Sequence, residues 1–424
     1  MIDMNNRKRL IILGATSETC KLVQKAESMG VETFVADPYQ NAPAKKYSSH
    51  PILVDCFDVE KICKIVIDEK IDGVLPGCAD ILVPVYEEVC RKLNKHCYVN
   101  KMLVETFNNK KGLKAILVKH GLRVIKEFKK EEIDNDSFDS FPLFVKPVDN
   151  NSSKGMYIIN DKKEFEILYQ KALSFSRSKT VLIEEYKRSD DFFIGYYIEN
   201  GNVKVAFTGD RFIIEQPGVG SITSGIVYPS KYQDLYFERI HEKMLGIFRE
   251  LNFENGICAI QGFVENGEIM FYDPALRITG GQEYILVNHF TGVDELESLI
   301  NYALYGKMSD NSIYKKCDCS FSGGFGCNLA FSVFPCVIGR IDGIDYARNH
   351  KGVINVTQEH NEGDTIDKIG TAQQNFARMH IFANSREEMR DLIIDLQKHV
   401  VAYDAFGNNV MLKGLDAEKW YNSR

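Results

Sequence analysis

Residues 141–160 read FPLFVKPVDNNSSKGMYIIN. The apolar run Leu143-Phe144-Val145 predicts a buried strand that ends on Lys146, where Pro147 stops the ladder. A small polar loop, Asp149 to Gly155, comes next, and Met156 to Ile159 predicts a second strand. A lysine at a strand end thus shares a hairpin with Ser152, Ser153 and Lys154. Two readings fit this stretch. One is an exposed hairpin with a solvated lysine. The other is a grip on a polyphosphate: the ammonium is a point charge, hydroxyls and loop N–H groups wrap the oxygens, and Gly155 lets the backbone approach closely.

The flanking segments decide between them. Upstream, Lys101 to Gly121 reads as a helical run holding Lys110, Lys111 and Lys114, and an acid-rich surface insertion spans Glu131 to Ser140. Downstream, Asp161 to Arg177 predicts an amphipathic helix. Val181 to Ile183 predicts a strand ending on Glu184-Glu185-Tyr186. Strands over Phe192–Ile198 and Val203–Gly209 precede a polar loop, Glu215 to Gly225, that carries Ser221, Thr223 and Ser224. Leu235 to Leu251 predicts a helix. A strand pair, Ile257–Val264 and Ile269–Tyr272, is joined by the turn Glu265-Asn266-Gly267-Glu268. It runs into Asp273-Pro274-Ala275-Leu276-Arg277, with Gly280-Gly281 close behind and a helix over Asp294–Tyr305.

Residues 9–100 alternate strand and helix. Strands are predicted at Leu10–Leu13, Val31–Ala36, Ile52–Val54 and Ile71–Leu75, with helices over Glu18–Gly30 and Val59–Lys70. This is a wound parallel sheet, whose ligands are expected at the strand C-termini. A glycine at the first turn and an acid after the second strand fit a dinucleotide site in outline. The G-x-G-x-x-G spacing is absent, however, which argues against nicotinamide. Asp37 and Asp80 are either plain turn residues or, with Gly14 and Gly77, the lining of a crevice for a small substrate.

With 424 residues, 44% hydrophobic and 26% charged, the chain has ample core for two to four domains. Its formal charge of −7 argues against nucleic acid, because a phosphate backbone selects basic faces. No apolar run reaches the length of a membrane span. Eleven scattered cysteines without zinc-finger spacing predict reduced, structural thiols in a cytoplasm.

The order of Lys110, FPLFVKP, SKGM, VLIEEY and DPALR with following glycines resembles the ATP-grasp superfamily over roughly residues 9–308. The resemblance implies α/β and α+β architecture. A wound parallel-sheet domain would occupy 1–100 and a two-subdomain core 101–308, with a mobile lid at about 113–185. A small C-terminal α+β domain over 309–424 resembles the one behind the cores of amino-acid ligases and glycinamide-ribonucleotide-synthetase-like enzymes. The implied cofactors are ATP and Mg²⁺. Lys110 and Lys146 would hold the α- and β-phosphates, and Ser153, Lys154 and Gly155 would belong to the lid loop. Glu184 would take the adenine amino group, and the backbone of Glu185, Tyr186 and Lys187 would read the ring edge. Asp191 falls at a ribose-binding position, and Arg277 would face the transferred phosphate and the substrate carboxylate. Gly14, Asp37, Asp80, Ser221, Thr223, Ser224, Gly280 and Gly281 are candidate substrate contacts.

The metal positions depart from that pattern. Two acids and an asparagine are expected on the strand pair; this chain has Gln261, Asp273 and Ala275. Asp273 is the one clear carboxylate, Gln261 a weaker ligand, and Asp210, Glu215 or Glu283 are candidates to compensate. The implied activity is an ATP-dependent carboxylate–amine ligase that works through an acyl phosphate on small-molecule substrates, as a homodimer. Two alternatives stand beside it: a carbamoyl-phosphate-synthase-like enzyme that phosphorylates a small acid, and a non-catalytic nucleotide-binding module with a decayed metal site. His380, inside an apolar strand, reads as structural.

Overall fold

The computed structural model describes residues 7–135, 137–148, 155–176, 178–186, 189–216, 220–310 and 312–423. Among them no helix is long and apolar enough to cross a membrane.

The N-terminal strands are β1 (Arg9–Leu13), β2 (Glu32–Asp37), β3 (His50–Leu53) and β4 (Gly73–Pro76). They form a parallel sheet in the order β3-β2-β1-β4. Leu10 to Leu13 are fully buried, as expected of a strand covered on both faces by the crossovers of a wound sheet. Helices over Cys20–Ser28, Val59–Asp68 and Val83–Leu93 provide the cover.

A small antiparallel sheet follows in the chain: β5 (Leu143–Pro147), β6 (Tyr157–Ile159) and β7 (Val181–Glu185), in the order β6-β5-β7. Pro147 is the last residue of β5, one beyond the expected end, because a strand-end proline forfeits only one N–H; it still pairs with Val181. The helix Lys162–Phe175 packs on this sheet, and Ile133, Leu143, Val145, Ile159, Phe165, Ala172 and Ile183 make a core of their own.

The remaining strands are β8 (Asp190–Glu199), β9 (Asn202–Gln216), β10 (Gly220–Tyr228), β11 (Gly256–Glu265), β12 (Glu268–Ala275), β13 (Phe325–Ser332), β14 (Cys336–Asp342), β15 (Val353–Gln358), β16 (Thr365–Ile366), β17 (Asn375–Ala383) and β18 (Val401–Asp404). Eight of them form one sheet in the order β12-β11-β8-β9-β10-β13-β17-β15, and β16-β14-β18 a smaller one. The mixed α/β architecture, parallel first and antiparallel after, is the expected one. Three strands beyond residue 309 continue the large sheet, while Val227 of β10 joins the C-terminal hydrophobic core.

Four local expectations change. The loop over 215–225 is largely strand, because β9 runs to Gln216 and β10 starts at Gly220. Lys101 to Gly121 is two helices, Lys101–Phe107 and Lys110–Lys119, and the Asn109 side chain caps the second. Leu235 to Leu251 divides at Ile240 into Gln233–Arg239 and His241–Glu250. Residues 320–335, SFSGGFGCNLAFSVFP, predict two strands from their apolar runs but hold one, β13.

Candidate functional site

Lys110 and Lys114 are one helical turn apart, so the capped helix Lys110–Lys119 presents both on one face. Lys114 reaches Glu184 at 2.7 Å and also bonds Glu127. Lys146, on β5, reaches the other oxygen of Glu184 at 2.5 Å. Glu184 is almost wholly buried, and Lys146 and Lys114 are 8% and 13% exposed at the side chain. Burial pushes the Glu184 carboxyl up, but the two ammonium groups outweigh it and hold it below the usual carboxylate range. Burial and Lys146 push the Lys110 ammonium down.

Glu184, expected at an adenine amino group, therefore has both oxygens engaged by lysines here. The Glu185 N–H donates to the Lys126 carbonyl and the Tyr186 N–H to the Pro142 carbonyl. Both are spent inside the fold, so they cannot read a ring edge as donors. Lys187, Ser153 and Lys154 lie outside the described residues. Gly155 has φ +74°, and a Cβ there would sit 2.7 Å from Phe175; the close approach that calls for glycine is to a helix.

The opposite wall is the large sheet. Register places Asp191, Arg211, Gln261 and Asp273 on one face: Asp191 pairs with Arg211, Gln261 with Phe193 and with Asp273. Asp191 is not free for a sugar hydroxyl, because Arg211 holds it at 2.6 and 3.0 Å. Tyr272 Oη accepts from Arg211 at 3.1 Å and lies 2.9 Å from Gln261 Oε1 and 3.3 Å from Asp191 Oδ1. Both acceptors are within reach of its single proton, Gln261 Oε1 the nearer of the two. The amide oxygen expected at a metal thus already faces a hydroxyl inside the wall.

Asp273 is open to solvent at the cleft floor. The crowding cleft walls, then Asp80, push its carboxyl up, while Lys110, Lys146 and Arg211 pull it down. The candidate compensating acids do not join it. Asp210 bonds Ser230 at 2.5 Å and the Lys231 N–H at 3.1 Å. Glu215 accepts from Tyr186 at 3.1 Å. Glu283 is buried among Tyr228, Asn328 and Thr279. Among the described residues no three ligating side chains gather around one point. One open carboxylate suits a single Mg²⁺ whose other ligands are phosphate oxygens and water; it does not suit an ion held by protein alone.

Arg277 leaves the end of β12 and meets Asp80, from the turn after β4, at 2.5 Å; a second nitrogen donates to the Ile278 carbonyl at 2.7 Å. Its Nε is buried without a partner among the described residues. Tyr98 donates to the Leu276 carbonyl at 3.1 Å and steadies the backbone just before it. The structure thus joins two sequence candidates, Arg277 and Asp80, that lie far apart in the chain. Asp37 goes elsewhere: its oxygens accept the N–H groups of Ala15 at 3.0 Å and Tyr39 at 2.8 Å, the work of a turn residue. Gly14 has φ +87°, and a Cβ there would lie 2.7 Å from Leu82. Ser224 is buried at a β-bulge and donates to the Phe212 carbonyl, which removes it from the substrate candidates. Thr223 faces Arg211 at 3.5 Å, and Ser221 lies opposite Glu215 in the ladder. A Cβ on Gly281 would strike Glu283 at 1.9 Å, and one on Gly280 would stand 3.9 Å from Glu18.

Two residues escaped the sequence reading of the site. Lys114 was legible as a helix-face neighbour of Lys110. Arg211 carried no motif signal; its place follows from strand register alone.

The family model described as "D-ala D-ala ligase C-terminus" matches residues 116–270. A formate-dependent phosphoribosylglycinamide formyltransferase of Prochlorococcus marinus is 24% identical over 279 residues, 64% of this chain and 70% of that one. An L-amino acid ligase from Bacillus licheniformis superposes with a TM-score of 0.77 at 18% identity, covering 94% of this chain and 99% of that one. A phosphoribosylglycinamide synthetase from Anaerococcus prevotii gives 0.72 at 16% identity, covering 94% and 100%. At these identities the superpositions speak for the fold.

Proposed function

We propose that this chain, an ATP-grasp protein by its motifs and fold, is a carboxylate–amine ligase that forms an amide through an acyl phosphate and releases ADP and phosphate. The observation that carries the reading is the set of cations around Asp273: Lys110, Lys146, Arg211 and Arg277 each interact with its charge. Phosphoryl transfer needs positioning and charge neutralisation more than covalent chemistry, and this arrangement supplies both.

In this reading Lys146 and Lys110 take the α- and β-phosphate oxygens, and ligand binding draws Lys146 from Glu184 toward the phosphates. Lys114 keeps Glu184 charged and in place as Lys146 moves. The adenine lies near Glu184. Bound at Asp273, Mg²⁺ would supply charge neutralisation at the phosphates. A carboxylate oxygen of the acid substrate attacks the γ-phosphorus, and the bond to the ADP oxygen breaks in line. Arg277, oriented by Asp80, donates to the acyl phosphate. The amine nitrogen then attacks the acyl carbon, phosphate departs, and the nitrogen loses a proton. No enzyme-bound covalent intermediate is needed. Gly280, Gly281, Ser221 and Thr223 border the acceptor side.

The separate small core of the β5–β7 sheet supports the lid subdomain of about 113–185, between a domain over 1–100 and one over 309–424. The same reading takes the protein as a cytoplasmic homodimer; its eleven cysteines, all free thiols in the structure, suit a reducing compartment.

The test is phosphate release from ATP with a panel of acids, formate and L-amino acids included, each paired with a panel of amines. One acid–amine pair should release phosphate and ADP in step with amide. Nucleotide binding with no release for any pair would support the decayed-module alternative instead.

A further inference from the structure

The large-sheet wall contains a cation fixed in the fold. Arg211 is bound through Nε and Nη2 to Asp191 and through Nη2 to Tyr272. Its Nη1 makes only a 3.5 Å contact with Thr223, and 18% of its side chain is exposed. The bulge opposite Gln261 brings Tyr272 onto the same face, where its ring stacks on Phe263 at 4.4 Å between centroids. Arg211 is therefore placed in advance, with donors left over. A guanidinium so held offers a planar fork that matches phosphoryl oxygens and has less hydration to lose than an ammonium.

The same geometry opposes a metal ion at this spot. Gln261, with one lone pair already facing the Tyr272 hydroxyl, would offer only a neutral oxygen beside a permanent positive charge. Asp191 would have to leave Arg211. Asp273 remains the open carboxylate of the wall.

We infer that Arg211 donates to the phosphoryl oxygens as a resident cation, so that the nucleotide complex of this chain contains one divalent ion, on Asp273, rather than the two-ion clamp used by many phosphoryl-transfer sites. This rests on the ligase reading above. The positive charge that a second ion would bring is built into β9.

The experiment counts ions. Mn²⁺ replaces Mg²⁺, and bound Mn²⁺ is measured by electron paramagnetic resonance on the full chain saturated with a non-hydrolysable ATP analogue. One tight ion per chain is expected. Arg211→Gln should weaken the analogue about tenfold or more, as for loss of a charged hydrogen bond. Arg211→Lys should recover only part of this, because lysine lacks the fork. Adding Gln261→Glu to Arg211→Gln should admit a second ion. Two Mn²⁺ per wild-type chain would overturn the inference alone, and this count needs no variant to fold. Unchanged analogue affinity in a folded Arg211→Gln chain would overturn it as well. Failure of the wild type to bind the analogue at all would overturn the ligase reading and this inference together.

Discussion

On the small-sheet wall of the cleft, two carboxylates serve three lysines: Glu184 lies between Lys114 and Lys146, Glu127 bonds Lys114 as well, and Lys110 stands beside them. On the large-sheet wall, Arg211 has Asp191 as its ion-pair partner, and Arg277 has Asp80. The difference is one of charge as well as geometry. Three lysines against two acids leave that wall with positive charge in excess, so an arriving phosphate meets a surplus cation. A one-to-one pair is nearly neutral and contributes oriented donors instead. The first wall suits capture of a polyanion; the second suits recognition of a particular oxygen arrangement. Residue types alone do not reveal this, since both walls read simply as basic.

The largest expected effect joins the walls at their common acid. Asp273→Asn should lower the rate of phosphate release by roughly 10³-fold, the scale of losing a principal charge-stabilising group. Analogue affinity should change far less. Equal losses in both would assign Asp273 to nucleotide binding generally and weaken the separation of roles.

Glu184→Gln tests the shared acid. It strands Lys146, which is mostly buried, and leaves Lys114 with Glu127 alone, which costs about 3–5 kcal/mol of folding stability in urea titrations. Added ATP analogue should recover more stability in the variant than in the wild type, because phosphate replaces the lost counter-charge. The pH dependence has a definite sign. The folded carboxyl titrates below its unfolded value, so its stabilisation is complete above the usual carboxylate range near pH ~4.3 and fades as pH falls through the folded value. The gap between wild type and variant should shrink on that descent. A gap that widens would contradict the ion triplet.

Lys146→Ala removes one arm of the excess. Calorimetry should report roughly tenfold to a hundredfold weaker analogue, equivalent to about 1.5–3 kcal/mol. Unchanged affinity would leave Lys110 and Lys114 as the capturing pair.

The smallest effect at neutral pH lies outside both walls and serves as a reference. His380 is buried, its Nε2–H donates to the Gly281 carbonyl at 2.9 Å, and burial pushes its pKa down to about 3. The unfolded chain takes up this proton near pH ~6.5, whereas the folded chain resists until about 3, so stability declines as pH falls between those values. His380→Leu should flatten the fall in melting temperature between pH 7 and pH 5, with nucleotide affinity unaltered. An unchanged slope would mean that another group carries the acid sensitivity.

The sequence by itself determined the mixed α/β architecture and pointed to several of the charged residues that the structure brings together. Period-two apolar runs specify which residues share a strand face, and Lys110, Lys146, Asp273 and Arg277 stand at strand or helix ends where short-range pattern is informative. It misread the 215–225 stretch, because serines and glycines there signal a loop although the ladder to β9 and β13 makes a strand of them. It also left Asp37 open between turn and substrate, a choice settled by two backbone N–H groups. Only the tertiary structure decided how charges pair. Lys114 and Glu184 are 70 residues apart, and Arg277 and Asp80 are 197 apart. Such pairs form because strand register and domain packing bring their elements to one cleft, and Coulomb energy depends on distance in space, which local sequence does not encode.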